Sequence, residues 1–251
     1  MEKEQCYEKL LETFLDIGKE LVEAGAEINR TDDTLRRLGK AFGAESTHSF
    51  VIYNSISVTM KFDGKFYSQT RSVSASGTTD FAKLERLNGL SRRCAAEKLS
   101  PEQLREAFEQ IKGEKRSLLK VFAGGVLASS AFAIFFGGSF ADALIAAVFG
   151  LIIVLLQEYF SGVCPNKMLF TFLSALVSGL GIIVVSLAAP AFHADKIIIG
   201  VIMLLVPGKG ITNAARDVLL GDTISGAMKL IESMFLAGAL AAGYLIALSL
   251  M

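Results

Sequence analysis

Past residue 120 the chain carries only eleven charged side chains in 131 residues, against 39 in the first 120. That imbalance constrains the fold more than any single motif. Within the charge-poor part, four stretches (residues 118–136, 141–157, 168–189 and 230–250) approach or exceed the ~20 apolar residues a helix needs to cross the hydrocarbon core. With 251 residues, 52% of them hydrophobic, and a mean hydropathy of +0.48, the whole chain is too apolar for an ordinary soluble domain. The composition shift therefore predicts a polar domain over residues 1–113 and a membrane domain over 114–251. The charged opening MEKEQCYEKLLE has no apolar run of the signal-peptide kind. Cys6, Cys94 and Cys164 are scattered, form no CxxC pair, and read as reduced bystanders of a cytoplasmic domain.

A fifth apolar segment is short. Residues 197–206 run into Pro207-Gly208, and the sequence continues as GKGITNAARDVLLGDTISG. Proline removes a donor and clashes with the preceding turn, so a helix ends there, and Gly208 and Gly210 around Lys209 let a second one begin. At membrane depth such a break is tolerated where it is buried in protein or lines a cavity, and in transporters it points to the binding site. Lys and Arg favour the cytoplasmic side. They precede the first span, follow the second at Lys167, and recur at Lys209, Arg216 and Lys229. Five spans, with residues 192–207 as a short fourth, satisfy this with the N-terminus inside and the C-terminus outside. Four spans would leave Lys196, Lys209, Arg216 and Lys229 all outside.

Around the break, Gly208, Gly210, Ile211 and Thr212 present backbone N–H groups where the second half-helix starts. That positive helix end, with Lys209, favours an anion such as a carboxylate, and Asn213 adds an amide. Arg216 and Asp217 either pair with each other or gate the site. The competing reading is an interfacial amphipathic helix whose charges snorkel without touching solute. Glycines at 124, 125, 179, 181, 200, 238 and 243 are expected to let helices pack closely. Asp142, Glu158 and Glu232 lie near span ends and read as boundary residues that reach water.

In residues 1–113, Leu10, Phe14, Ile17 and Leu21 recur at helical spacing and predict an amphipathic helix over about 4–24 that stops near Gly25. Thr31 or Asp32 is the expected cap of a second helix carrying Leu35, Leu38 and Phe42. Residues 50–53 read as a short strand. Ile56, Val58, Met60 and Phe62 alternate with polar residues, and Asp63-Gly64 signals a tight turn into a hairpin partner. A small-residue loop follows over 72–79, then a helix over about 80–98, and Ser100-Pro101-Glu102-Gln103 opens another with a capping box. The domain reads as α+β. It contains no HExxH, P-loop, nucleophile elbow or paired Cys/His set. His48 reads as structural, the Asn29–Asp33 cluster as a helix start, and the serines of residues 72–76 as a linker without a base to activate them.

The residues near the break resemble the threonine/serine exporter family, whose signature is carried here by Pro207-Gly208, Asn213-Ala214-Ala215-Arg216-Asp217 and Gly221-Asp222-Thr223-Ile224-Ser225-Gly226. Gly25, Glu27, Arg30, Asp33 and Thr34 resemble that family's first block, and Asn88, Ser91 and Arg92, with Leu99-Ser100-Pro101-Glu102, its second.

The resemblance, which covers nearly the whole chain, implies an α-helical polytopic membrane protein of five spans with an N-terminal soluble α+β domain. It implies export of small carboxylate solutes: threonine and serine, or a dicarboxylate such as succinate. It also implies the larger subunit of a split exporter, working with a separate, smaller five-span membrane subunit in a bacterial-type cytoplasmic (inner) membrane. The substrate-binding residues it points to are Gly208, Lys209, Thr212, Asn213, Arg216 and Asp217, with Pro207, Gly208 and Gly210 as the hinge. Partners expected are that subunit, the lipid bilayer and the solute, with no nucleic acid, no metal and no cofactor; a homo-oligomer stays open. The alternatives from other classes are a membrane-anchored hydrolase or sensor acting through residues 1–113, and a scaffold that stabilises the partner subunit.

Overall fold

The computed structural model describes residues 2–73, 79–114, 116–164, 166–189 and 191–250. Residues 74–78, the greater part of the serine-rich loop, lie outside the described residues. The chain divides into two units: residues 1–115 with 212–229, and residues 116–211 with 230–251.

In the first unit, helix α1 (Glu2–Glu23) buries Leu10, Leu11, Phe14, Leu15, Ile17 and Leu21 along one stripe, as the spacing predicts. It ends where Gly25 takes a positive φ of 86°; Ala26 N–H bonds Leu21 O and Gly25 N–H bonds Val22 O, a Schellman turn. Helix α2 (Ile28–Ala41) begins earlier than expected. Its N-cap is Glu27, not Thr31 or Asp32, and the Thr31 hydroxyl donates back to Glu27 O inside the first turn.

Strands β1 (Ser46–Ile52), β2 (Ser55–Phe62) and β3 (Lys65–Ser72) form an antiparallel meander in the order β1-β2-β3. Asp63 and Gly64 both have positive φ, 47° and 77°, as a type I′ hairpin requires. Ile56, Val58, Met60 and Phe62 join the core built on α1 and α2. The opposite face carries Ser and Thr hydroxyls, with Thr59 and Ser68 2.8 Å apart. Strand β1 starts four residues before the expected 50–53 because Ser46 to Ser49 pair with β2 through their backbone and need no apolar pattern. Helices α3 (Phe81–Glu97) and α4 (Pro101–Gly113) close the core with Leu87, Leu90, Leu104 and Phe108; Ser100 and Gln103 complete the expected capping box.

The second unit holds α5 (Leu118–Phe135), α6 (Phe140–Tyr159), α7 (Lys167–Ala188), α8 (Ala194–Ile202), the first residues of α9 (Gly208–Leu219) and most of α10 (Thr223–Ser249). Four helices, α5, α6, α7 and α10, are long and apolar enough to cross a membrane. Helix α8 has nine residues, roughly 13 Å at 1.5 Å per residue, and does not by itself cross a ~30 Å core. The helix stops five residues short of the proline, with Val206 and Pro207 outside any helix and α9 restarting at Gly208. Close approaches use small residues: a Cβ on Gly150 would lie 2.1 Å from Ser129 Oγ, and one on Gly243 would lie 2.6 Å from Phe172 O. Gly124 and Gly238 face open space, so they are not interface glycines within this unit.

Outward-facing Leu119, Leu127, Phe135, Leu144, Val148, Val184 and Leu245 leave an apolar exterior that suits lipid rather than water. Asp142 departs from the boundary expectation. It is fully buried, closes a capping box with Ser139 and accepts from the His193 backbone N–H at 2.8 Å, so it is satisfied by protein donors at a helix N-terminus and does not reach water. Glu158 pairs with Arg116 at 2.6 Å and Glu232 with Lys167 at 3.6 Å.

Candidate functional site

Residues that the sequence scatters over two of its three motif blocks converge in the first unit. The segment Thr212–Lys229, which follows the break, belongs to the same unit as residues 1–115. It forms a helical hairpin. Helix α9 ends at Gly221 (φ 96°), with Asp222 N–H donating to Asp217 O at 2.8 Å and Gly221 N–H to Val218 O at 3.1 Å, the same Schellman turn that ends α1. Gly226 then lets α10 start close against α9, since a Cβ there would lie 2.7 Å from Ala214 O. The Gly-Asp-x-x-Ser-Gly spacing is thus a turn and a close crossing, with Ser225 buried between them.

Arg216 and Asp217 do not pair with each other, because successive helix residues point to different faces. Arg216 Nη1 lies 2.7 Å from Glu27 Oε1. Glu27 occupies the N-cap of α2 yet makes no side-chain cap bond; its carboxylate serves the guanidinium instead. Asp217, 1% exposed, accepts from Lys229 Nζ at 2.6 Å, and that ammonium also lies 5.9 Å from the Tyr53 ring centroid.

Two carboxylate oxygens, Asp217 Oδ1 and Asp222 Oδ2, are buried without a hydrogen-bond partner. Burial, followed by the charges of Asp217 and Asp32, pushes the Asp222 carboxyl above its ordinary range, against the opposing pull of Lys229. Beside it a cavity of about 450 Å³ is lined by Asn29, Asp32, Ser49 to Ile52 and Gly221 to Ser225. Asp32 is held by Arg36 at 2.8 Å and by the Ser49 hydroxyl.

Other residues singled out by sequence lie elsewhere. Arg30, Asp33 and Arg92 are exposed on their helices. Thr34 is buried and bonds Arg30 O. Ser91 accepts from Arg37 at 3.2 Å, which fastens α3 to α2, while Asn88 donates to Leu84 O within α3; neither builds a pocket. Pro207, Gly208, Lys209 and Gly210 belong to the second unit, where Gly210 backs onto Ser233; Thr212 and Asn213 open the first-unit part of α9. Sequence reasoning missed the roles of Lys229 and Tyr53. In the sequence Lys229 reads only as an orientation charge, and its place twelve residues after Asp217, across a Gly turn, is the signal for its pairing. Cys94 is buried, and burial pushes its thiol up to about 11, which keeps it unreactive near neutral pH. Among the described residues no group of three or more His, Cys, Asp or Glu could hold a metal ion.

The family match reaches beyond this unit to nearly the whole chain: the family model described as "Putative threonine/serine exporter" (ThrE) aligns with residues 12–251. The chain belongs to the ThrE family. With its four long apolar helices, it is a multi-pass membrane protein of an exporter-type family. An uncharacterized protein of Schizosaccharomyces pombe is similar to this ThrE chain, 22% identical over 239 residues, 91% of this chain but 28% of the relative's length. The chain thus spans little more than a quarter of that curated relative. No solved structure matches the ThrE chain.

Proposed function

We propose that the chain forms one half of a ThrE-type transporter that moves small carboxylate-bearing solutes out of the cell: threonine and serine, or a dicarboxylate such as succinate. The observation that carries this reading is the family match across residues 12–251 together with the interrupted helix, α8 stopping at Ile202 and α9 starting at Gly208. An α9 N-terminus built from Gly208, Lys209 and Gly210 favours a carboxylate through its helix dipole and the lysine charge. Thr212 and Asn213 on the next turn supply a hydroxyl and an amide to the same solute. Arg216 and Asp217 hold the helix through Glu27 and Lys229, with the solute closer to the break.

In this reading the short α8 and the break complete a fifth crossing, with the N-terminus in the cytoplasm and the C-terminus outside a bacterial-type inner membrane. A second membrane half, supplied by a smaller five-span subunit, closes the solute pathway. Loss of labelled threonine, serine and succinate from cells making this chain with such a second half tests the proposal. Faster loss of one solute than from cells lacking the chain is expected. Asn213→Ala should slow it about tenfold, the loss of one good hydrogen bond to a charged group. Equal loss of all three solutes with and without the chain would overturn the reading.

A further inference from the structure

The hairpin Thr212–Lys229 is built with a firm interior and a light outer joint. Inside it, Asp217 and Lys229 make a 2.6 Å pair whose side chains are 1% and 12% exposed, fixing α9 to α10 across the Gly221 turn. A buried ion pair of this kind is strongly resisted from opening, since separating the partners leaves an unpaired charge out of water. Gly226 adds a crossing at backbone contact distance. The hairpin therefore moves as one body or not at all.

Its joint to α2 and the sheet is of another kind. The ion pair there, Arg216 with Glu27, has a guanidinium side chain 57% exposed, a geometry in which water competes well. Lys229 adds a cation–π contact to Tyr53 at 5.9 Å. Between the Gly221–Ser225 turn and α2 and β1 the surfaces do not close but leave the 450 Å³ cavity. Close packing is what makes an interface permanent, and here it is incomplete.

We propose that this joint is a latch: the N-terminal α+β domain grips the hairpin that follows the Pro207-Gly208 break, α9 through Glu27 and α10 through Tyr53, and releases it as a unit. The latch stands on the geometry of this unit. Only its consequence for solute movement rests on the transporter reading: α9 cannot shift about the break while Glu27 holds Arg216.

The test uses the full chain in membrane vesicles, with Cys6 and Cys164 replaced by serine and the buried native Cys94 kept. Ser225→Cys places a thiol at a position now 2% exposed, beneath the latch. Its alkylation rate reports opening, and Cys94 in the same molecule reports unfolding of the domain core. Glu27→Gln and Arg216→Gln should each speed labelling of the introduced thiol, by up to about fivefold for an ion pair open to water on its guanidinium side, while Cys94 stays unlabelled. The paired reversal Glu27→Arg with Arg216→Glu should return the rate toward that of the parent. Unchanged labelling in the single variants, a reversal pair labelled as fast as the faster single variant, or an increase matched at Cys94 would each overturn the latch. None of these readouts needs a solute, so a failure of the transport assay leaves them intact.

Discussion

At the scale of single residues, the hairpin concentrates carboxylates around one lysine. Asp222 faces the charges of Asp217 on α9 and Asp32 on α2, with Lys229 of α10 as the counter-charge, and one of its own oxygens is buried unpaired. Its carboxyl is raised above the ordinary value, so the folded state prefers the protonated form. The sign of the pH effect follows from linkage. Below the ordinary aspartic value, about 4, folded and unfolded chains are both protonated and Asp222 costs nothing. Between that value and the raised folded one, the folded chain holds the extra proton, so stability falls as pH rises, and above both the cost is constant. Asp222→Asn should therefore raise the melting temperature of the purified protein at neutral pH and leave it unchanged at acid pH. Equal melting of variant and parent at neutral pH would refute this account of Asp222.

Among the elements, the helix ends were the most and the least legible parts of the sequence. Gly25 announces a Schellman stop, and Ser100 to Gln103 announces a capped start, because each uses residue types that only one backbone conformation rewards. The start of α2 was hidden. Glu27 is an uncommon N-cap, while Thr31 and Asp32 look like better ones. The start of α10 is hidden too, since Asp222, Ser225 and Lys229 precede the apolar run at 230 and mask a single helix that begins at Thr223. Gly226 gives these elements a measurable test. An alanine there would place its Cβ 2.6 Å from Val218 Cγ2 and 2.7 Å from Ala214 O, and overpacking against backbone costs about 1–3 kcal/mol. Gly221→Ala meets nothing within 4 Å and should lose only about 1 kcal/mol through its positive φ. Thermal unfolding of the two variants should rank them in that order, and the reverse ranking would place the strain in the turn instead of the crossing.

For the molecule as a whole, composition alone separated polar from apolar chain, because eleven charges in 131 residues leave few soluble alternatives. Composition could not reveal that residues 212–229 belong with the first unit. Within that unit Arg216 meets Glu27, a pairing between residues far apart in the chain that no local pattern encodes. The orientation proposed for the spans is open to direct measurement: in a cysteine-free background, Lys98→Cys should react with an impermeant maleimide only from the cytoplasmic side, and Ser249→Cys only from outside. Reaction of both from one side would reduce the crossings to an even number. Glu27 bears on how such a protein could move. As the N-cap of α2, its carboxylate stands next to a second set of donors, the backbone N–H groups of Asn29 and Arg30 in its own first turn. When Arg216 departs, the carboxylate can exchange a guanidinium for amides at nearly constant hydrogen-bond count. A contact whose loss is partly compensated in place opens at lower cost than one that leaves a bare carboxylate.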